Sequence, residues 1–294
     1  MIAEIVACRT ELQIPYAVAC RALGVSESWF YKHRDRLPTV TEARRVDLDA
    51  AVVEVFAAHD GEYGSPRVHA ELIEQPRFER TSVNTVAQRM RALGLRAKVK
   101  PVRRSLTRPD PQAPKFANLL ERRFSPPAPD VAWVGDITEI STWEGKLYVA
   151  TVIDLWSRRL IGFAIGVDCK ADLVCQALCM AIATRGGRVA GVIMHTDRGS
   201  QYTSRAFTEL CARHQITQSM SRAGSCLDNA VAEAWFATLK TELIYRIALP
   251  TRAFARRRII AWIDRYNRVR RHSHCGLQAP ATYEKITTPA AHAA

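Results

Sequence analysis

Three carboxylates in this chain stand among apolar or uncharged neighbours, where a charge needs a reason to be. They are Asp136 in Trp-Val-Gly-Asp-Ile-Thr, Asp197 in His-Thr-Asp-Arg-Gly-Ser-Gln-Tyr, and Glu233 in Asp-Asn-Ala-Val-Ala-Glu-Ala-Trp-Phe, with 35 residues between the last two. Converging carboxylates suit magnesium, a hard ion that prefers oxygen ligands and keeps several waters. Two such ions can clamp the attacking and leaving oxygens of a phosphodiester. A metal-activated water or 3′-hydroxyl then serves as nucleophile, so no reactive serine or tyrosine is demanded. The expectation is an enzyme that cuts and joins DNA.

The elements around these residues follow from periodicity. Residues 131–140, 147–155 and 160–166 read as a three-stranded antiparallel meander, with Asp136 mid-strand, where aspartate is disfavoured. Residues 171–184 read as a helix closed by Gly186 and Gly187. The apolar run at 191–197 reads as a buried parallel strand, which puts Asp197 at a strand's C-terminal end, where open sheets do chemistry. Helix 204–214 and a short strand 217–220 follow, then a loop and the helix that carries Glu233. On that helix Ala232, Trp235, Phe236, Leu239 and Leu243 share one apolar stripe. Asn229, Glu233 and Lys240 fall together at its edge, so the Lys240 ammonium can reach a substrate phosphate near the metals. Arg198 beside Asp197, and Asn229, join it as candidate DNA contacts.

Charge is unevenly placed. Lys+Arg against Asp+Glu is 21 to 16 over residues 1–130, 11 to 11 over 131–245, and 10 to 2 over 246–294. A neutral carboxylate-bearing segment between basic flanks suits an enzyme that keeps acidic metal ligands and holds phosphate elsewhere. The expected divisions are a helix-turn-helix-like unit at 1–38, a second at 39–100, a proline-rich basic linker at 101–130 that tracks a DNA backbone, the catalytic core at 131–245 and a basic helical extension at 246–294. In the first unit Gly24 breaks one helix and Ser26 caps the next, which carries Lys32 and Arg34. In the second, Ser65-Pro66 starts a helix with Ser65 as its cap, and Ser82 caps a helix with Arg89 and Arg91. Arg256, Arg257 and Arg258, with Arg270 and Arg271, are the candidate DNA contacts of the extension.

Some classes are excluded. No run of 18 apolar residues suggests a membrane span, and no signal peptide is evident. The eight cysteines contain no C-x-x-C pair, and Cys175 and Cys179 read as buried thiols on an apolar helix face. Neither His272, His274 and Cys275 nor Cys211 and His214 completes a zinc pattern.

The words around the three acids resemble the DDE transposases and retroviral-type integrases. The closer resemblance is to the second-frame (OrfB) protein of insertion-sequence family three. It is carried by residues 133–138, Val-Ile-Asp-Leu-Trp-Ser-Arg at 152–158, residues 195–202, Ser219 to Arg222, and Asp228 through Glu233 to Lys240. Tyr63-Gly64-Ser65-Pro66-Arg67 and Tyr266-Asn267 with Arg270-Arg271-His272 extend it over nearly the whole chain. The resemblance implies a ribonuclease H-like α/β fold, a mixed five-stranded sheet with helices. It implies Asp136, Asp197 and Glu233 as the catalytic and metal-binding triad, two Mg2+ ions (Mn2+ as a substitute), and Lys240 on DNA. Implied partners are double-stranded DNA, a first-frame OrfA protein or a frameshift fusion with it, and further copies of the chain on DNA, in the bacterial cytoplasm at the nucleoid. Two other readings stay open. A repressor built on the helix-turn-helix units would bind DNA without cutting it, and a ribonuclease-like hydrolase would cut without joining.

Overall fold

The computed structural model describes residues 1–34, 36–37, 39–98, 116–222 and 226–287. Six helices come first: α1 (Ile2–Leu12), α2 (Tyr16–Ala22), α3 (Glu27–Arg34), α4 (Val40–Ala58), α5 (Ser65–Leu72) and α6 (Val83–Ala92). They form two small cores, one around Ile5, Ala19, Cys20 and Phe30, the other around Leu48, Val52, Tyr63, Val68, Leu72, Phe78, Val86 and Met90. The turn between α2 and α3 needs Gly24 at φ +68°, a left-handed conformation that side chains resist. Capping sets the starts. Ser26 accepts from the Trp29 amide, Thr39 and Glu42 form a reciprocal capping box, and Ser82 accepts from the Thr85 amide. Helix α5 differs from expectation by one position: Gly64 occupies the cap and Ser65 is already helical. Each unit has a third helix, α1 or α4, that periodicity alone does not separate.

The catalytic segment opens with three strands, β1 (Ala132–Thr142), β2 (Gly145–Asp154) and β3 (Leu160–Gly166), followed by α7 (Ala171–Thr184) and β4 (Ile193–Thr196). Then come α8 (Arg205–Arg213), β5 (Thr217–Met220), α9 (Ala230–Leu239), α10 (Arg252–Arg268) and α11 (Pro280–Thr287). The sheet order is β3-β2-β1-β4-β5. Strands β1, β2 and β3 pair antiparallel, and β4 and β5 continue parallel to β1. This is the mixed five-stranded sheet that the resemblance implied. Alternation along β1 explains how the strand serves two cores: Trp133 faces one way with α7 and α8, while Val134 and Ile140 face the other with α9 and α10. Asp136 shares the parity of Val134, so it points to the side where α9 lies.

Packing crosses two of the expected divisions. Helix α10 is a layer of the core, because Ala255, Ile259, Trp262, Ile263 and Tyr266 pack with Trp235 and Phe236 of α9 against the sheet. Of the linker, residues 101–115 lie outside the described residues, and the part from Phe116 on is held against the core. Leu120 is buried in the α9–α10 core, the Leu119 amide donates to Ser219 Oγ at 2.9 Å, and the Met220 amide donates to the Ala117 carbonyl at 3.3 Å. Cys179 is exposed rather than buried, while Cys175 is partly covered. Among the described residues no helix is long and apolar enough to cross a membrane.

Helix α7 lies so close to β3 that a Cβ on Gly162 would collide with the Ala177 carbonyl oxygen and come within 2.7 Å of the Ala181 amide nitrogen. Backbone cannot retreat as a side-chain tip can. Gly162→Ala is expected to cost about 3 kcal/mol, the upper end of overpacking. A denaturant midpoint within experimental error of wild type would contradict this packing.

Candidate active site

The three acids arrive from three elements. Asp136 sits mid-β1, opposite Thr151 of β2. Asp197 follows the last residue of β4, and its Oδ1 accepts from the Gly199 amide at 2.9 Å, which turns the chain away from the sheet. Glu233 lies in the first turn of α9. The helix is pinned at its start by Asn229, whose Nδ2 donates to the carbonyl of Gly135 at 3.3 Å, one residue before Asp136. Asn229 and Glu233 are four apart and share a helix face, so this bond turns Glu233 toward Asp136. Beyond Leu239 the helix widens into a π-turn, Lys240–Ile244, a local irregularity often found at functional sites.

The charges of the three acids act on one another. Burial, then the Asp197 charge and the Glu233 charge, push the Asp136 carboxyl up to about 8, and the Lys240 ammonium opposes them. Burial raises Asp197 against its bond from Gly199. Glu233 is exposed as a residue, yet its carboxyl is raised by partial desolvation and by Asp197. Tyr202, 2% exposed, lies against the same acids, and burial with Asp136 and Asp197 holds its phenol well above the ordinary range. Among the described residues its hydroxyl finds no hydrogen-bond partner, nor does the buried Asn229 Oδ1.

Among the described residues no three His, Cys, Asp or Glu side chains form a ready-made metal cage. Magnesium does not need one: it is commonly held by one or two carboxylates together with waters and substrate phosphates. An all-oxygen donor set whose mutual repulsion raises its own pKa values fits a hard divalent cation. The sign of the pH effect follows. Asp136 is raised from 3.8 to about 8 in the folded chain, so it favours folding fully below about pH 4 and that contribution is lost as pH rises to 8. Metal-free protein is expected to lose thermal stability over that window, and Mg2+ to raise the melting temperature more at pH 8 than at pH 5.5. Equal Mg2+ shifts at both pH values would contradict it.

The other candidates are scattered. Arg198 lies beside the site with its Nε donating to the Ser221 carbonyl at 2.8 Å. Lys32, Arg91, Arg256, Arg257 and Arg258 are exposed. Arg34 stacks over the rings of Tyr16, Phe30 and Tyr31. Three arginines expected on phosphate are instead spent within the chain. Arg89 makes a two-pronged pair with Asp49 at 2.6 and 2.7 Å. Arg270 is buried on Glu242 at 2.6 Å, and Arg271 bridges Glu71 at 2.7 Å and Glu74 at 2.6 Å. A guanidinium already holding carboxylates has few donors left for phosphate. Asn229, 4% exposed, braces β1 and is not placed to contact DNA.

Sequence reasoning missed Tyr202 and Asp228 as site residues. Both lie inside the quoted words, and only the fold shows that one is buried under the triad and the other at the root of α9.

Comparison with known proteins places the whole chain in a family. Family models described as an integrase core domain match residues 126–226 and 214–280, and one described as an HTH-like domain matches residues 42–103. Transposase InsF for insertion sequence IS3A of Escherichia coli (strain K12) is 39% identical over 269 residues, covering 90% of this chain and 92% of that protein. A putative transposase for insertion sequence element IS986/IS6110 of Mycobacterium tuberculosis (strain ATCC 25177 / H37Ra) is 37% identical over 272 residues, covering 89% and 95%. A looser likeness, TM-score 0.42 at 17% identity over 53% of this chain and 97% of the other, is to the HTLV-2 integrase catalytic core domain in complex with magnesium (trimeric form). On the InsF match over nine-tenths of its length, the chain belongs to the transposases of insertion-sequence family three, enzymes of DNA cleavage and strand transfer built on an integrase catalytic core.

Proposed function

We propose that Asp136, Asp197 and Glu233 are the metal-binding triad of this transposase, holding two Mg2+ ions with Mn2+ as a substitute. On this reading the enzyme frees the 3′ end of its element with water and then joins that end to a target strand. The observation that carries it is that β1, the turn after β4 and the first turn of α9, pinned to Gly135 by Asn229, bring Asp136, Asp197 and Glu233 to one side of the sheet, near enough that the charges of the other two act on the buried Asp136. When bound, the metal supplies charge neutralisation for the phosphodiester and lowers the pKa of an attacking water or hydroxyl.

The protein's own part is placement. Strand β1 presents Asp136, the Gly199 amide orients Asp197, and Asn229 fixes the rotation of Glu233. Lys240, near enough to act on Asp136, supplies a positive charge for a phosphate bridging the site. The same reading includes a first-frame OrfA partner, or a frameshift fusion with it, for recognition of the element's ends, and more than one copy of the chain on two DNA ends. Family membership supports that part.

The test is Mg2+-dependent cleavage and joining of an oligonucleotide that carries the element's end. Wild type, alone or fused to its OrfA partner, is expected to do both, and Glu233→Gln neither. Binding by wild type with no cleavage in either form would favour the repressor reading. For phosphate holding, exposed Arg256, Arg257 and Arg258 are the better candidates. Replacing all three with alanine is expected to flatten the dependence of log K on log salt by about 2–3, near 0.9 for each phosphate no longer neutralised. An unchanged slope would remove α10 from the DNA interface.

A further inference from the structure

We propose that Asp228 is a positioning residue: it latches the strap Phe116–Phe124, the segment that leads into the core from the helix-turn-helix side, to the root of the Glu233 helix. The inference rests on the reading of Glu233 as a metal ligand and adds what sets its position.

Asp228 lies in the short turn Cys226–Asn229 just before α9, and its side chain is only 1% exposed. A buried carboxylate is costly unless charge and hydrogen bonds compensate it. Both come largely from the strap and from the end of β5. Asn118 Nδ2 donates to Oδ2 at 2.9 Å, and Arg122 Nε donates to Oδ1 at 3.0 Å. From Arg222 the backbone amide donates to Oδ2 at 3.1 Å and Nε to the same oxygen at 3.2 Å. The two guanidiniums are 47% and 61% exposed, so they bring charge without being buried themselves.

What the carboxylate holds matters more than its own burial. The next residue, Asn229, is bonded to Gly135 beside Asp136, and Glu233 follows one turn later. On its other side the strap is bonded to β5, the strand beside the one that leads to Asp197. The Leu119 amide bonds Ser219 Oγ, which also bonds His195 Nδ1 at 2.8 Å, two residues before Asp197. The strap thus bonds the root of α9 directly and reaches the strand that leads to Asp197 through Ser219 of β5, and its polar side-chain grip on the Glu233 side runs through Asp228. A pull on the strap, as when the preceding unit engages DNA, would be felt at α9 through Asn118 and Arg122.

Three variants test the latch: Asn118→Ala, Arg122→Gln and Asp228→Asn. Each is read by the Mg2+ concentration that gives half of the full thermal shift, and by hydrogen exchange of the α9 amides. Loss of the latch is expected to raise the half-saturating Mg2+ concentration about tenfold, the lower end for residues that orient metal ligands. It should also speed exchange in the first turn of α9. Asn118→Ala combined with Asp228→Asn should be no worse than the more severe single variant, because both remove one interaction. Should Asp228→Asn fail to fold, Arg122→Gln and Asn118→Ala carry the test. Wild-type Mg2+ response and α9 exchange in those two would overturn the latch. Glu233→Gln separates the two ideas. If it keeps the full Mg2+ shift, the ligand reading fails; if it loses the shift while the strap variants keep theirs, only the latch fails.

Discussion

Asp136→Asn is expected to abolish DNA cleavage and joining while leaving DNA binding within about twofold of wild type. The substitution keeps size and shape but removes the carboxylate on which the charges of Asp197, Glu233 and Lys240 all act. It leaves the exposed basic surface of α10 untouched. Loss of one preorganised electrostatic group commonly costs 10²–10³-fold, and loss of a shared metal ligand should reach at least the top of that range. A fall of about 10³-fold corresponds to ~4 kcal/mol of transition-state stabilisation. Folding should move the other way. An amide at this position cannot ionise, so the penalty that grows between pH 4 and pH 8 disappears. Metal-free Asp136→Asn should therefore melt higher than metal-free wild type at pH 8, by roughly 2–4 °C for each kcal/mol recovered. Cleavage within tenfold of wild type, checked with active-site-titrated protein, would remove Asp136 from the chemistry.

The second large effect is on stability. Arg185, at the end of α7, lies 2.8 Å from Asp130, 3.6 Å from Asp154 and 2.7 Å from Glu284. Asp154 is fully buried and Glu284 nearly so, at 0% and 9% side-chain exposure. Glu284 belongs to α11 and also pairs with Arg159 at 2.6 Å and accepts from Ser157 at 2.7 Å. One guanidinium therefore ties the last helix to the β2–β3 turn and to α7. Breaking a buried ion network by removing one member costs about 3–5 kcal/mol, because the remaining charges stay buried. Arg185→Ala should lower the melting temperature by about 10 °C at pH 8. The deficit should narrow at pH 5, since acids left without their counter-charge take up protons in the folded state. Arg185→Lys keeps the charge and loses the fork, so it should fall between. A deficit below about 1 kcal/mol, or one unaffected by pH, would show that the network holds little.

The sequence made some of this legible and hid the rest for physical reasons. The strands and helices of the core were readable because each buries one face, and burial writes itself as period two or 3.6. Asp136 stood out because a carboxylate in such a strand breaks that pattern. The arginine assignments fared worse. A run such as Arg268 to Arg271 looks like a phosphate-binding patch, yet Arg271 is neutralised by Glu71, 200 positions away in the sequence. Local charge counts carry no information about partners brought together by folding. The place of the strap is hidden for a similar reason: proline and cationic residues signal extension, but Leu120 and the bonds to Ser219 and Asp228 decide where an extended segment lies.

The claim that the three acids share a metal site can be tested without relying on turnover. Fe2+ in place of Mg2+, with ascorbate and peroxide, cuts a polypeptide within a few residues of where the metal sits. The fragments can be mapped by mass spectrometry. Cuts are expected near residues 136, 197 and 233, suppressed by excess Mg2+ and lost in Asp136→Asn. Cuts confined elsewhere, for instance around His272, His274 and Cys275, or cuts unaffected by Mg2+, would contradict it.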